Sequence, residues 1–112
     1  MFYYKVTAKC GHVGKGRYCI KNFYIKANGK SEARKRVERM PRVKKGLEDA
    51  VMNVRRISFE TYMNGVVETG RDPYFKFKCE EDVLEAKKNG YKEKTYWLSH
   101  NKGKRKNEKN KM

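Results

Sequence analysis

The stretch FYYKVTAKCGHVGKGRYCIKNFYIKA, residues 2–27, decides the fold, because two runs of strand-forming residues flank a glycine-rich turn. In residues 2–8 apolar side chains recur at every second position, which is typical of a half-buried strand. Residues 17–27 are rich in aromatic and β-branched side chains, which favour strands. The eight residues KCGHVGKG contain three glycines and predict a turn. The stretch therefore predicts an antiparallel β-hairpin.

The alternation divides the hairpin side chains between two faces. The first face carries Phe2, Tyr4, Val6, Ala8, Cys19, Phe23, Ile25 and Ala27, with Lys21 among them, and the second carries Tyr3, Lys5, Thr7, Tyr18, Ile20, Tyr24 and Lys26. If a helix covers the first face, the second presents rings that can stack on unpaired bases and lysines that can hold phosphates. The alternative is that these tyrosines are only good strand formers, half covered by the C-terminal segment.

A basic helix is predicted after the hairpin. Ser31 is a suitable N-cap, and Pro41 ends the helix. Ala33, Val37 and Met40 follow the i, i+4, i+7 spacing of a buried stripe. The side chains of Lys35, Arg36 and Arg39 then point elsewhere, and PRVKKG at 41–46 forms a basic connector.

The remaining segments are less sharply defined. Residues 51–57 are predicted as a third strand, with a helix as the alternative. Ser58 is expected to cap a helix that ends at Asn64-Gly65, the alternative being a type I′ turn between two strands. Residues 80–89 predict a helix, with acids first and lysines last. Residues 91–98 either add a strand or dock on the core through Trp97.

The predicted fold class is α+β, with an antiparallel sheet of three or more strands (β-hairpin, helix, further strand) and helices packed on one face. Residues 1–98 are expected to form a single domain. Residues 99–112 have almost no apolar side chains and are expected to be a disordered basic tail. No run of about 20 apolar residues and no secretory signal is present in the sequence, so a cytoplasmic location without a membrane partner is expected.

The net charge of +16 is unevenly distributed. Residues 1–45 contain 14 Lys/Arg and two Asp/Glu. Residues 46–98 contain nine Lys/Arg and ten Asp/Glu, and residues 99–112 contain six Lys/Arg and one Glu. An AT-rich coding bias can explain an excess of lysine over the whole chain. It does not explain why the positive charge is concentrated in residues 1–45 and 99–112 while residues 46–98 are balanced. A one-sided positive field attracts polyanions, most commonly phosphate backbones. The sequence therefore predicts a small basic protein that binds nucleic acid or a nucleoprotein complex, without separating RNA-binding from DNA-binding; a solvated basic face is the alternative.

The predicted contact residues come from the hairpin, the helix and the connector. They are Lys5, Lys15, Arg17, Tyr24, Lys26, Lys35, Arg36, Arg39, Arg42, Lys44 and Lys45.

A second hypothesis concerns the charge-balanced segment, residues 46–98. Its aromatic side chains either form core or anchor a protein partner. In the latter case the protein is an adaptor or inhibitor, of the kind found in small mobile elements, that docks on a host protein or nucleoprotein complex. The candidate anchors are Phe59, Tyr62, Tyr74, Phe75, Phe77 and Trp97.

Three cysteines and one histidine suggest a structural zinc site. Cys10, His12, Cys19 and Cys79 have the composition of such a site. The sequence lacks Cys-x-x-Cys, and Cys19 falls on a predicted buried face, so free thiols are the alternative. Zinc is the only cofactor that the sequence suggests.

The sequence predicts no enzyme and no catalytic residues. Adjacent acids such as Glu80, Glu81 and Asp82 diverge around a helix and cannot converge on a metal. No GxxxxGK[ST] phosphate-binding loop is present. A Cys10 thiol nucleophile beside His12 is conceivable, but no third residue is positioned to orient them.

Overall fold

The protein is described by a computed structural model that covers residues 1–98. The elements are β1 (Phe2–Cys10), β2 (Arg17–Ala27), α1 (Lys30–Glu38), β3 (Val51–Ile57), α2 (Phe59–Arg71), a 3₁₀ turn (Pro73–Lys76), α3 (Glu80–Lys88) and β4 (Tyr96–Trp97). The strands form one antiparallel sheet in the order β3-β1-β2-β4. The α+β fold class is therefore confirmed, as are the hairpin and the third strand. The predicted disordered tail, residues 99–112, lies outside the described residues.

The core forms on the first face of the sheet. Val6 occupies its centre, because it is the register partner of Phe23 on β2 and of Val54 on β3. Alternate residues of β1 are buried, as the sequence pattern predicts. Helix α1 covers this face with Ala33 and Val37, both fully buried.

The start of α1 differs from the prediction. The helix begins at Lys30 with Gly29 as its N-cap, so the prediction of Ser31 as N-cap is wrong, and no side chain of residues 1–98 caps the helix. The carboxylate of Glu32 instead accepts a hydrogen bond from the backbone N–H of Asn28 at 2.6 Å. This contact ties the first turn to the preceding loop without a capping hydroxyl.

Helix α2 packs on the second face of the sheet. Ser58 caps it as predicted, accepting a hydrogen bond from the Thr61 N–H at 3.1 Å. The ring centroid of Tyr3 lies 5.3 Å from that of Phe59 and 4.8 Å from that of Tyr62. Since Tyr3 alternates with the buried Tyr4, α2 lies opposite α1, and the helices are divided between both faces instead of one.

The predicted end of α2 at Asn64-Gly65 is wrong. Helix α2 continues to Arg71, and Gly65 is buried against the ring of Tyr24. A local turn signal is overridden here by a contact with a distant strand.

The segment after α2 crosses from the second face to the first around the edge of β2. The buried hydroxyl of Tyr74 donates a hydrogen bond to the carbonyl of Gly11 at 2.7 Å, and the ring of Phe75 packs edge-on against Phe23. Helix α3 begins at Glu80 as predicted and ends at Lys88, with Asn89 as its C-cap. None of the helices within residues 1–98 is long and apolar enough to cross a membrane.

Candidate nucleic-acid interface

The outer surface of α1 brings three of the predicted cations together. Lys35, Arg36 and Arg39 are all exposed, and with Ser31 and Glu32 they line one shallow groove. Arg36 donates hydrogen bonds to the carbonyl of Lys26 at 2.6 Å and to the carboxylate of Glu32 at 2.9 Å. Among the described residues, the side chains of Lys35 and Arg39 make no hydrogen bond or ion pair. These two charges are therefore available to a partner.

The connector after α1 uses part of its charge internally. Lys45 donates to the carbonyls of Glu38 at 2.7 Å and Met40 at 2.9 Å, which places a cation at the negative end of α1. Arg42 donates to the carbonyls of Tyr74 at 3.1 Å and Phe75 at 3.2 Å. The guanidinium of Arg42 thus holds the 3₁₀ turn and is largely withdrawn from outside contacts.

The connector then runs beside β1 and lies near the turn of the hairpin. Val43 forms a bridge with Cys10, and the Lys44 N–H donates to the carbonyl of Lys9 at 3.0 Å. Lys15 is exposed in the turn between β1 and β2, and Arg17 begins β2. The connector, β1, β2 and β4 lie side by side, which gives this end of the sheet a width of about 14 Å. Lys15, Arg17 and Lys44 therefore belong to one basic end of the molecule.

The remaining predicted residues lie toward the opposite end of the hairpin. Lys5 is the register partner of Tyr24 on β2 and of Arg55 on β3. Lys26 is exposed and is the partner of Tyr3.

The rings of the second face are used in internal packing. Tyr24 contacts Gly65, and burial, with a contribution from the Glu68 carboxylate, raises the pKa of its phenol. Tyr18 stacks on Tyr96 with ring centroids 5.4 Å apart. The C-terminal segment thus half covers Tyr18, while α2 covers Tyr3 and Tyr24. The sheet therefore does not offer the open row of rings that alternation alone suggests.

Lys21 is a cation inside the fold. Its ammonium lies 2.7 Å from the carboxylates of both Asp72 and Glu93, and its side chain is 10% exposed. Burial lowers the pKa of Lys21, but the hydrogen bonds and negative charge of the two carboxylates outweigh this and leave the pKa raised. Tyr91 donates to Glu93 at 2.6 Å, and burial together with this bond raises the pKa of Tyr91. This network joins β2 to two distant segments and is structural.

The cysteines divide into a buried pair and an exposed single residue. Cys10 and Cys19 are fully buried register partners on β1 and β2, while Cys79 is exposed before α3. Burial, reinforced by Cys19, raises the pKa of Cys10 to about 12. Burial, reinforced by Glu93, raises the pKa of Cys19 to about 11. Both groups are therefore thiols at neutral pH, whereas nucleophilic attack requires a thiolate.

The four residues predicted to hold zinc are not gathered in one place. In the part of the chain that the structure describes, no three His, Cys, Asp or Glu side chains form a group that could hold a metal ion. His12 lies in the turn with a positive φ of 69°. Zinc binding stays a prediction for elemental analysis to test.

The aromatic anchors predicted for a protein partner separate into core and surface. Tyr74 is fully buried, Tyr62, Phe75 and Phe77 are half-buried, and Phe59 and Trp97 are exposed. Helix α2 also exposes an apolar stripe between 41% and 57% accessible, made by Phe59, Met63, Val66 and Val67. Met63, Val66 and Val67 were not predicted as anchors from the sequence. With Phe59 they follow the spacing of one helix face, which is the signal that could have identified them.

A group of ring and cation contacts around β4 was not predicted from the sequence. The guanidinium of Arg17 lies 4.2 Å from the ring centre of Trp97. The ammonium of Lys94 lies 5.6 Å from the ring centre of Tyr96. Arg17 and Trp97 were predicted separately, as a phosphate contact and a docking ring, because nothing local in the sequence indicates that they meet. Comparisons with protein-family models, with curated proteins and with solved structures give no match to this chain.

Proposed function

We propose that the protein binds nucleic acid, alone or in a nucleoprotein complex, by contacting phosphates through the outer surface of α1. The observation that carries this proposal is the exposure of Lys35 and Arg39, whose side chains have no hydrogen-bond or ion-pair partner within residues 1–98. They are four residues apart and so occupy one side of the helix, next to Arg36. Three adjacent cations on a rigid helix match the repeating charge of a phosphate backbone.

The surrounding charge supports the same proposal. Residues 30–45 contain eight Lys/Arg and two Glu, a net charge of +6. Lys15, Arg17 and Lys44 extend the positive surface to the hairpin turn. Phosphates are common to RNA and DNA, so this surface binds either one without reading sequence. The cytoplasm is the proposed compartment, since Cys10 and Cys19 are register partners whose thiols are free, as a reducing environment keeps them.

The test is fluorescence anisotropy with labelled single-stranded RNA, single-stranded DNA and duplex DNA over a salt series. The wild type is expected to lose affinity steeply as salt rises, because cations bound to phosphates are displaced. The variant Lys35→Glu/Arg39→Glu is expected to bind about tenfold more weakly or worse at low salt. These residues are preferable to Arg36, whose side chain joins α1 to β2 through the carbonyl of Lys26.

The matched control is Lys76→Glu/Lys92→Glu, which changes the net charge equally at exposed positions of the balanced segment. It is expected to bind more tightly than the α1 variant. If both variants lose affinity equally, total charge and not α1 governs binding. Affinity that is independent of salt contradicts the proposal.

A second candidate function is docking on a protein, which the exposed apolar stripe of α2 favours. The buried centre of a protein interface is apolar, and four neighbouring apolar side chains exposed to water can supply such a centre. The test is capture of a partner by the full chain, compared with Met63→Glu/Val67→Glu. Loss of capture in this variant, with capture kept by Lys35→Glu/Arg39→Glu, supports docking through α2. The reverse result rejects it.

A further inference from the structure

Trp97 is a large ring that the fold leaves mostly in water. Its side chain lies on the two-residue strand β4 and is 66% exposed. Its register partner on β2, Arg17, places a guanidinium 4.2 Å from the centre of the indole. Arg17 therefore covers one side of the ring, and the exposed fraction leaves the other side open.

A second set of rings and cations lies on the opposite face of the same two strands. Tyr18 and Tyr96 are register partners with planes inclined by 24°. Each ring has a lysine ammonium over it, Lys9 at 5.1 Å from Tyr18 and Lys94 at 5.6 Å from Tyr96. Successive side chains of a strand point to opposite faces of the sheet. Tyr18, Tyr96 and the two lysines over their rings therefore lie on the face opposite to Trp97. The two strands are thus aromatic and cationic on both faces.

Packing within residues 1–98 does not account for the exposure of Trp97. Trp97 is not among the residues packed in the hydrophobic core, whereas Tyr74 is fully buried there. An indole two-thirds in water gains little from folding, and its exposed face is free to contact a partner. The guanidinium of Arg17 over the indole also favours a negatively charged partner over an apolar one.

These features match the chemistry of single-stranded nucleic acid. An unpaired base has a free π-face that can stack on the open side of Trp97, and its phosphates can meet nearby cations. In a duplex the bases are stacked on each other and no face is free. Arg17 lies against Trp97, and Lys15 and Lys44 lie at this same end of the sheet, so the phosphates next to a base on Trp97 can meet these cations.

We propose that the β2–β4 ribbon, with Trp97 as its platform, is a stacking site for an unpaired nucleobase, so that single-stranded nucleic acid is the preferred ligand. This inference rests on the proposed function, and it adds a site distinct from the outer surface of α1.

The test uses the fluorescence of Trp97, which is the single tryptophan of the chain. The full chain is titrated with oligothymidylate and with duplex DNA of equal length, with free tryptophan amide as the absorption control. Oligothymidylate is expected to quench the fluorescence saturably, because a stacked base quenches the indole. Duplex DNA is expected to quench it much less at concentrations where anisotropy shows that it is bound.

Variants connect the quenching to affinity. Trp97→Ala is expected to weaken the binding of oligothymidylate about tenfold, while duplex affinity stays the same. Trp97→Phe keeps a ring and is expected to recover most of the affinity. Leu84→Ala, at an exposed apolar residue of α3, is the control and should bind as the wild type. Circular dichroism confirms that each variant is folded.

The outcomes separate this inference from the proposed function. Salt-dependent binding with unchanged Trp97 fluorescence, and wild-type affinity in Trp97→Ala, overturns the stacking site and leaves phosphate binding by α1 intact. Binding to neither single strand nor duplex overturns both.

Discussion

Gly65, in the middle of α2, packs directly against the ring of Tyr24 on β2. A Cβ at residue 65 would overlap the ring, so only glycine allows the helix to lie this close to the sheet. Glycine costs a helix interior about 1 kcal/mol relative to alanine. The contact between helix and strand offsets that cost and holds α2 over the second face.

Replacing Gly65 by alanine is therefore expected to destabilise the protein by about 1–3 kcal/mol, because the new methyl group displaces the ring or the helix. Gly70 is the matched control in the same helix, since a Cβ there meets no other described residue within 4 Å. Gly70→Ala is expected to stabilise by up to about 1 kcal/mol. Urea unfolding of both variants measures the difference, and equal effects of the two substitutions contradict this account of α2.

Removing the buried charge of Lys21 is expected to be costly. Lys21→Met leaves Asp72 and Glu93 without their shared cation, and the free energy of unfolding is expected to fall by about 3 kcal/mol. Lys9→Met is the control, because Lys9 also lies 2.7 Å from an aspartate, Asp49, whose side chain is 72% exposed. Its loss is expected to be below about 1 kcal/mol. Similar losses in the two variants would mean that the burial of Lys21 has no energetic consequence.

Stability is expected to fall in alkaline solution. Unfolded thiols release their protons near the ordinary pKa of 9.0, whereas folded Cys19 and Cys10 keep theirs up to about 11 and 12. The unfolded state therefore binds fewer protons above pH 9, and rising pH favours it. Each thiol costs about 1.4 kcal/mol per pH unit within this window. The raised pKa values of Lys21 and Tyr91 act in the same direction above about pH 10.

Urea unfolding from neutral pH to about pH 10 measures this slope. The variant Cys10→Ala/Cys19→Ala is expected to lose the part of the slope that begins near pH 9, whatever its stability at neutral pH. Cys79→Ala, which removes an exposed thiol, is the control for the substitution of a cysteine. A wild-type stability that is constant over the whole range would refute the buried state of the two thiols.

Arg42 and Lys44 are neighbours in the connector with different expected roles. Arg42→Gln removes the two bonds to the carbonyls of Tyr74 and Phe75, and a loss of about 2 kcal/mol in stability is expected. Lys44→Gln is expected to reduce the slope of log affinity against log salt by about 1, with little change in stability. Urea unfolding and the anisotropy series measure the two effects. These roles are contradicted if Arg42→Gln changes the slope of log affinity against log salt and leaves the free energy of unfolding unchanged.

The elements with strong local patterns are predictable from sequence. Alternation places Val6 and Phe23 on one buried face, and the spacing of Ala33 and Val37 gives the buried stripe of α1. These patterns need only the geometry of a single strand or helix. The exposure of Lys35 and Arg39 follows from the same spacing, so the α1 surface could be identified before the fold.

Features that depend on distant partners are not predictable in this way. Asn64-Gly65 is a strong local turn signal, and only the contact with Tyr24 shows that the helix continues. Lys21 interrupts an apolar pattern, and nothing near it in sequence indicates that Asp72 and Glu93 neutralise it. The pairing of Arg17 with Trp97 likewise depends on how the last strand returns to the sheet.

The position of Glu93 has a consequence for how the chain folds as it is synthesised. The hairpin and α1 leave the ribosome before the segment from Asp72 to Glu93, so Lys21 has neither of its carboxylates until that segment has followed. An early core must therefore either leave this lysine hydrated, with the neighbouring first-face residues open, or form around an unpaired charge. We expect the hairpin to stay loosely packed during translation and the native core to close in one step, after nearly all of the described chain has emerged.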